Sequence, residues 1–395
     1  RGFQGAGYRV AAGTDADPIR GFADSPREEG EATLGASWLS DNFAVKLRAT
    51  YALDPDDNRE YRADGSYVGL NVGNFMLSAG YMDRWWGPGW DGSLILSNNA
   101  RPIPSLALER NYSDAFKIPV LSLLGPWRAS IAVGEAEERD VAVPKVRFFA
   151  ARVNLRPRPW LEVGLSRTAQ WCGGGRPCGW KTFTDMLLGR DNQVDGEAMS
   201  PEQPGNQLAG YDVRVRSPWT AIPVAVYTQW IGEDEAGGLP SKFLGLAGME
   251  AWGSSAWGGW RLRAEYADTT CNFSRETPQF DCAYRSQIYT QGYQHRGRTI
   301  GHSLDNDSQL YSLGATLVRP SGANWSVIYR TAEINRDGGQ HTISTIPLEH
   351  DNVELRHSRD AAGGRLSAGV SFEKRSAMTD SGSDLRGFLI WQQGF

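Results

Sequence analysis

The sequence predicts an all-β fold: an antiparallel transmembrane β-barrel of about eighteen strands, with long extracellular loops and one segment folded inward. Three observations carry this prediction. Segments of about ten residues alternate apolar and polar side chains, the connections between them alternate short and long, and tryptophans gather beside the short connections.

Residues 43–53 show the period. Phe43, Val45, Leu47, Ala49, Tyr51 and Leu53 point one way; Ala44, Lys46, Arg48 and Thr50 point the other. Alternation along a strand puts one set in lipid and the other in a lumen. Tyr211–Arg216, Trp260–Tyr266 and Leu366–Phe372 repeat it. Strands are predicted near 2–12, 30–39, 42–53, 66–73, 75–83, 113–121, 127–137, 144–155, 159–171, 206–216, 222–232, 241–253, 257–269, 308–319, 324–334, 349–358, 363–374 and 384–395.

Every second connection is turn-like: 73–74, 124–126, 156–159, 217–218, 253–255, 320–323 and 360–364. The intervening ones, around 13–29, 84–112, 172–205, 233–240, 270–307 and 335–348, are longer and polar. A half-buried sheet in a soluble sandwich also alternates along each strand, but nothing obliges its connections to alternate in length. Tight periplasmic turns and larger external loops do. Trp127, Trp160, Trp219, Trp257 and Trp325 follow the short turns and would ring the periplasmic interface. Closure would leave no unpaired edge in hydrocarbon. The expectation is a single domain over 1–395, monomeric, in the outer membrane against lipid and lipopolysaccharide. The final strand, ending Leu-Ile-Trp-Gln-Gln-Gly-Phe395, resembles the signal read by the barrel-assembly machinery.

Composition agrees without deciding. The 395 residues are 40% hydrophobic and 11% aromatic, with 46 glycines. No apolar run approaches the ~18–20 residues of a membrane helix. A net charge of −5 gives no basic footprint for nucleic acid. The numbering opens at Arg1 without an initiator Met, as expected of an exported chain after processing or trimming. The four cysteines form two local pairs, Cys172/Cys178 and Cys271/Cys282, in long loops. These spacings favour two local disulfides in an oxidising compartment over metal binding.

The inward face is rich in arginine: Lys46, Arg48, Arg152, Arg214, Arg216, Arg261, Arg263 and Arg330, alongside Asp212, Glu265 and Glu373. Two readings stand. One is a network of lumenal ion pairs; the other is a basic conduit or binding face for an acidic glycan.

Residues 84–112 cannot continue a regular strand, because Trp85, Trp86 and Trp90 are interrupted by Gly-Pro-Gly. So much aromatic surface should fold against the wall or into the lumen. The run Arg84-Trp-Trp-Gly-Pro-Gly-Trp90, followed by Ser93-Leu-Ile-Leu-Ser-Asn-Asn-Ala-Arg-Pro102, resembles the Wzi family of capsule-assembly proteins. Beyond that motif the resemblance is architectural and covers most of the chain. It implies an eighteen-strand barrel with an inward plug and a lectin-like, non-enzymatic role in attaching capsular polysaccharide to the cell surface. The chain departs from that pattern in starting close to its first strand, where such proteins can carry an N-terminal helical segment. Indole faces beside amides and an arginine fork suit sugar recognition. Arg84, Trp85, Trp86, Trp90, Asn98, Asn99 and Arg101 are therefore candidates for carbohydrate binding, or for building the plug.

Other chemistry is poorly represented. Asp54, Asp56, Asp57, Asp305 and Asp307 read as solvated loop tips, and no complete calcium-loop pattern occurs. The histidines His295, His302, His341, His350 and His357 show no paired metal spacing. Neither a nucleophile elbow nor a phosphate loop appears. Glu233, Asp234 and Glu235 are the nearest approach to a glycosidase pair. No cofactor or metal is expected. Residues 181–188 read as a short helix packed through Met186 and Leu187. The alternative function is a diffusion porin for sugars or anions, given the arginine-lined lumen and a barrel this wide.

Overall fold

The computed structural model describes residues 2–14, 18–137, 143–187, 205–236, 239–378 and 381–394, without the side chains of 234–236 and 239. Eighteen strands form the wall. They are β1 (Gly2–Gly13), β2 (Gly30–Leu39), β3 (Phe43–Leu53), β4 (Tyr67–Val72), β5 (Phe75–Gly80) and β6 (Ser105–Arg110). Next come β7 (Trp127–Ala136), β8 (Val146–Arg158), β9 (Leu161–Trp171), β10 (Gly205–Arg216), β11 (Val224–Ala236) and β12 (Leu239–Ser255). The last six are β13 (Gly258–Asp268), β14 (Gln309–Val318), β15 (Asn324–Ile334), β16 (Leu348–Ala361), β17 (Gly364–Ala377) and β18 (Ser381–Gln393). A two-residue strand, Tyr61–Arg62, extends the sheet beside β3. Sequence neighbours pair antiparallel, and β1 pairs with β18 from Tyr8↔Gln393 to Gly13↔Phe388, which closes the wall.

The predicted alternation is the physical cause of this closure. Leu34, Leu47, Leu106, Leu262, Leu313 and Leu385 are exposed on the outside, whereas Thr33, Arg152, Glu265 and Arg330 are buried on the inside. Each leucine left in water would forgo roughly 1.5–3 kcal/mol, so this outer band belongs in hydrocarbon. The dry core lies inside the barrel. It joins Trp86, Leu94, Ile95 and Leu96 to the wall residues Tyr227, Ile231, Leu244 and Leu246 and to the loop residues Tyr284 and Tyr293.

At the turn end, Gly73 adopts φ +58 in the tight connection between β4 and β5, a left-handed conformation suited to glycine. Trp160, Trp219, Trp257 and Trp325 are exposed there, as expected of an interfacial girdle. Trp127 differs. It is half-buried, stacked on Phe116 at 4.7 Å and covered by the Arg110 guanidinium at 4.0 Å.

Three expectations need correction. The sixth strand lies at 105–110, inside the segment 84–112 expected to be irregular, while 113–121 is not a strand and leads into a short helix, Pro119–Ser122. Ser105–Arg110 alternates properly, with Leu106 and Leu108 outward; Pro119 lacks the N–H a ladder needs, despite its β-branched neighbours Ile118 and Val120. Second, within the loop expected at 233–240, residues 233–236 and 239–240 are strand, because β11 and β12 stay paired as far as Ala236↔Leu239; residues 237 and 238 lie outside the described residues. Third, Asp305 and Asp307 are buried rather than solvated. Asp305 accepts from the Thr299 hydroxyl and the Thr342 N–H, and Asp307 from the Asp281 N–H and the Asn306 amide. Loop groups starved of water supply those partners.

Both predicted disulfides are formed, Cys172–Cys178 and Cys271–Cys282. A helix spans Trp180–Leu187, with Met186 fully buried in a cluster with Phe149 and Trp171. Leu188, most of the remainder of the 172–205 loop, and the terminal Phe395 lie outside the described residues.

Candidate functional site

The tryptophan-rich segment leaves the wall after Gly80 and returns at Ser105, its two ends facing each other across the β5–β6 pair. Between them the chain packs against the inner faces of distant strands. Glu265 on β13 accepts hydrogen bonds from the backbone N–H groups of Trp90 (2.7 Å) and Asp91 (3.0 Å) and from the Tyr227 hydroxyl (2.8 Å). Gln229 on β11 works in both directions. Its amide oxygen accepts from the Leu94 N–H at 2.8 Å, and its nitrogen donates to the Trp86 carbonyl at 2.7 Å. Arg330 on β15 pairs with Asp91 at 2.7 Å, with Arg263 at 3.9 Å from the same carboxylate. Burial alone would push the Asp91 carboxyl up, but Arg330 and Arg263 hold it below the usual carboxylate range.

External loops grip the segment from the other side. The hydroxyls of Tyr284 and Tyr293 donate to the carbonyls of Leu94 and Ile95, at 2.7 and 2.8 Å. Ser97 donates to the Gly301 carbonyl, and Asn99 to the Thr299 carbonyl. Arg27 reaches the carbonyls of Asn98 and Asn99 at 2.6 and 2.8 Å. An irregular backbone cannot satisfy itself, so these donors replace the missing ladder.

The seven predicted site residues are not gathered in one place. Trp85 and Trp86 line a cavity of about 880 Å³ toward the turn end, with Arg110, Trp127, Arg152 and Arg214. Trp90 lies beneath Arg261 and Arg263, whose guanidinium carbons are 5.0 and 5.4 Å from the ring centre. Arg84 donates to Ser105 at 3.1 Å and lies 3.7 Å from Glu109. Asn98 borders a cavity of about 300 Å³ beside Arg9, Arg48 and Arg62. Asn99 borders a different cavity of about 540 Å³ at the loop end, walled by Pro18, Asp56, Arg296, Arg298, Ser303, Thr342, Arg375 and Arg386. Arg101 is committed to protein carboxylates, Asp64 at 2.7 Å and Asp57 at 2.5 Å.

Among the inward basic residues, Arg152, Arg214, Arg261, Arg263 and Arg330 have acidic partners inside the barrel. Arg152 forks onto Asp212 at 2.7 and 3.0 Å, Arg214 meets Glu250, Arg261 lies 3.7 Å from Glu250, and Arg263 and Arg330 face Asp91. The ion-pair reading fits these. Lys46 and Arg48 are half-buried on β3, and Arg216 is exposed near the turn end. Glu233 is buried on β11. Sequence reasoning missed Gln229, Tyr284, Tyr293 and Arg27. Strand alternation puts Gln229 inward between Tyr227 and Ile231, which was a usable signal; the loop residues had none.

A model of the family described as "Capsule assembly protein Wzi" matches residues 7–384. The chain belongs to the Wzi family. A Klebsiella pneumoniae relative described as an uncharacterized 55.8 kDa protein in the cps region is 34% identical over 279 residues, 70% of this chain. The matched region spans about half (53%) of that relative's length. Among solved structures, Escherichia coli Wzi, described as a carbohydrate-binding outer-membrane β-barrel involved in group 1 capsule assembly, superimposes with a TM-score of 0.87 at 26% identity. That superposition covers 99% of this chain and 84% of the other. Pseudomonas aeruginosa OprD matches more loosely, with a TM-score of 0.53 at 9% identity over 99% and 93% of the two chains, which reflects the barrel fold alone. This Wzi-family chain is thus an outer-membrane β-barrel.

Proposed function

We propose that this chain is a non-catalytic, lectin-like barrel that attaches or organises exported capsular polysaccharide at the cell surface. Family membership supports the reading, and so does the carbohydrate binding described for the Escherichia coli protein. The structural observation that carries it is the polar cavity among the external loops, resting on a densely bonded inward segment. In this reading residues 81–104 act as a plug, so glycan docks at the outer end and does not pass through. The protein works as a monomer among lipid and lipopolysaccharide after delivery by the barrel-assembly machinery. Trp85, Trp86, Trp90 and Arg101 serve the plug, and Asn99 borders the ligand.

Capsule retention in a deletion strain tests the proposal. The parent gene should restore surface polysaccharide, and variants in the loop-end cavity should shed it into the medium. Equal retention with and without the gene would refute it. The porin reading fares worse, because the interior arginines face carboxylates and the lumenal segment is buried. Planar-bilayer recording of the parent should show little steady current.

A further inference from the structure

The loop-end cavity holds more positive charge than its own carboxylates occupy. Glu373, sealed from solvent, is shared by Arg386 and by Arg375 at 3.6 Å, with His350 also 3.6 Å away. The Nε of Arg375 is buried with no hydrogen-bond partner. Arg298 leans on Asp56 at 2.9 Å, but that acid is 70% exposed, and such surface pairs exchange readily. Arg296 is better occupied, 2.9 Å from Glu137 and 3.6 Å from Asp57. Ser303 borders the same cavity, only 4% exposed, and its hydroxyl has no partner. Buried polar groups without partners are uncommon and call for an explanation.

We propose that this cavity takes an acidic sugar, a carboxylate-bearing residue of a glycan. Arg298 and Arg375 receive the carboxylate, and Ser303 engages a ring hydroxyl. A guanidinium fork matches a carboxylate in shape and charge. A volume of about 540 Å³ lies within the usual range for small-molecule sites. Trp85 and Trp86 line the opposite cavity, so selection here rests on charge rather than ring stacking. The inference rests on the carbohydrate-binding reading and adds the class of sugar and the residues that choose it.

The test is calorimetric titration of the detergent-solubilised protein with tetragalacturonate, with neutral maltotetraose, and with surface polysaccharide purified from the producing cells. Tetragalacturonate should bind at least tenfold more tightly than maltotetraose and weaken as sodium chloride is raised. Arg298→Ala combined with Arg375→Gln should cost at least a further tenfold, with heat-modifiable gel mobility confirming a folded barrel. Inorganic phosphate that displaces tetragalacturonate at equal concentration would overturn the sugar assignment in favour of a simple anion site. Polysaccharide binding undiminished in the double variant would overturn this inference alone. Failure of that polysaccharide to bind the parent would remove the carbohydrate-binding reading as well.

Discussion

Arg330 and Asp91 meet at 2.7 Å with side chains only 2% and 1% exposed, one from the wall and the other from the inward segment. Removing one member of such a pair strands the other charge away from water. Asp91→Ala should therefore destabilise the barrel by about 3–5 kcal/mol, read as a lower urea midpoint in lipid or detergent. The same variant should show current openings that the parent lacks. An unchanged midpoint with a silent bilayer would contradict the coupling of wall to segment.

Gly92 touches His302 so closely that a Cβ would fall 2.0 Å from the imidazole Nε2. The ring is fully buried and cannot swing clear without disturbing the loop around it. Gly92→Ala should cost about 1–3 kcal/mol, the usual penalty of overpacking. Pairing it with His302→Ala should recover part of the loss, and a double-mutant cycle measures how much.

Acid should act on the external loops in two opposing directions. Burial lowers the His302 pKa from 6.5 to about 4, so its stabilising contribution is complete above pH 6.5 and fades as pH falls toward 4. Burial, with Asp337 adding to it, raises Asp307 from 3.8 to about 6. That contribution is complete below pH 3.8 and is lost as pH rises through 6. Asp307→Asn removes the offset, so melting temperature should fall more steeply between pH 7 and pH 4 in the variant than in the parent. Parallel curves would argue against either assignment.

The two disulfides should differ in consequence. Cys271 is fully buried in the main interior cluster, with Cys282 packed beside it, whereas Cys178 is exposed. Replacing Cys271 and Cys282 by serine should cost about 2–4 kcal/mol and open residues 269–308 to protease. The same change at Cys172 and Cys178 should leave that loop resistant. Peptide mapping after limited digestion distinguishes the two.

Arg101→Ala should behave as a structural lesion rather than a binding one. Its fork is held by Asp64 and Asp57, both on the protein. The expected outcome is lower thermal stability with glycan affinity within about twofold of the parent, measured by calorimetry on the folded fraction. A selective loss of affinity would return Arg101 to the ligand.

Most of the wall was readable from local pattern, because each strand declares its faces within ten residues or so. The exception is instructive. Ile118 and Val120 look more strand-like than Leu106 and Leu108, yet Pro119 and the need to pair with β5 settle the choice at 105–110. The inward segment was legible as a disruption, since Gly-Pro-Gly among tryptophans forbids a ladder. The duty of each residue in it was not. Asn99 binds a carbonyl 200 positions away, and Tyr284 reaches back 190 positions to Leu94. No spacing rule encodes partners at that distance. Asp305 and Asp307 misled for the same reason, because loops folding over one another decide whether a polar tip stays wet.

The pairing of β1 with β18 gives the molecule a zipper with a single latch. Other wall pairs join neighbours along the chain and can form as hairpins, but this one, six residue pairs long, must draw together positions such as Tyr8 and Gln393. Loop-closure entropy grows only with the logarithm of length, so the equilibrium penalty is modest, while the kinetic wait is long. Gly7 sits at that latch, where a Cβ would fall 2.5 Å from the Gln393 carbonyl oxygen. The ring therefore shuts where the first and last strands of the wall meet, and a side chain at position 7 would hold it ajar.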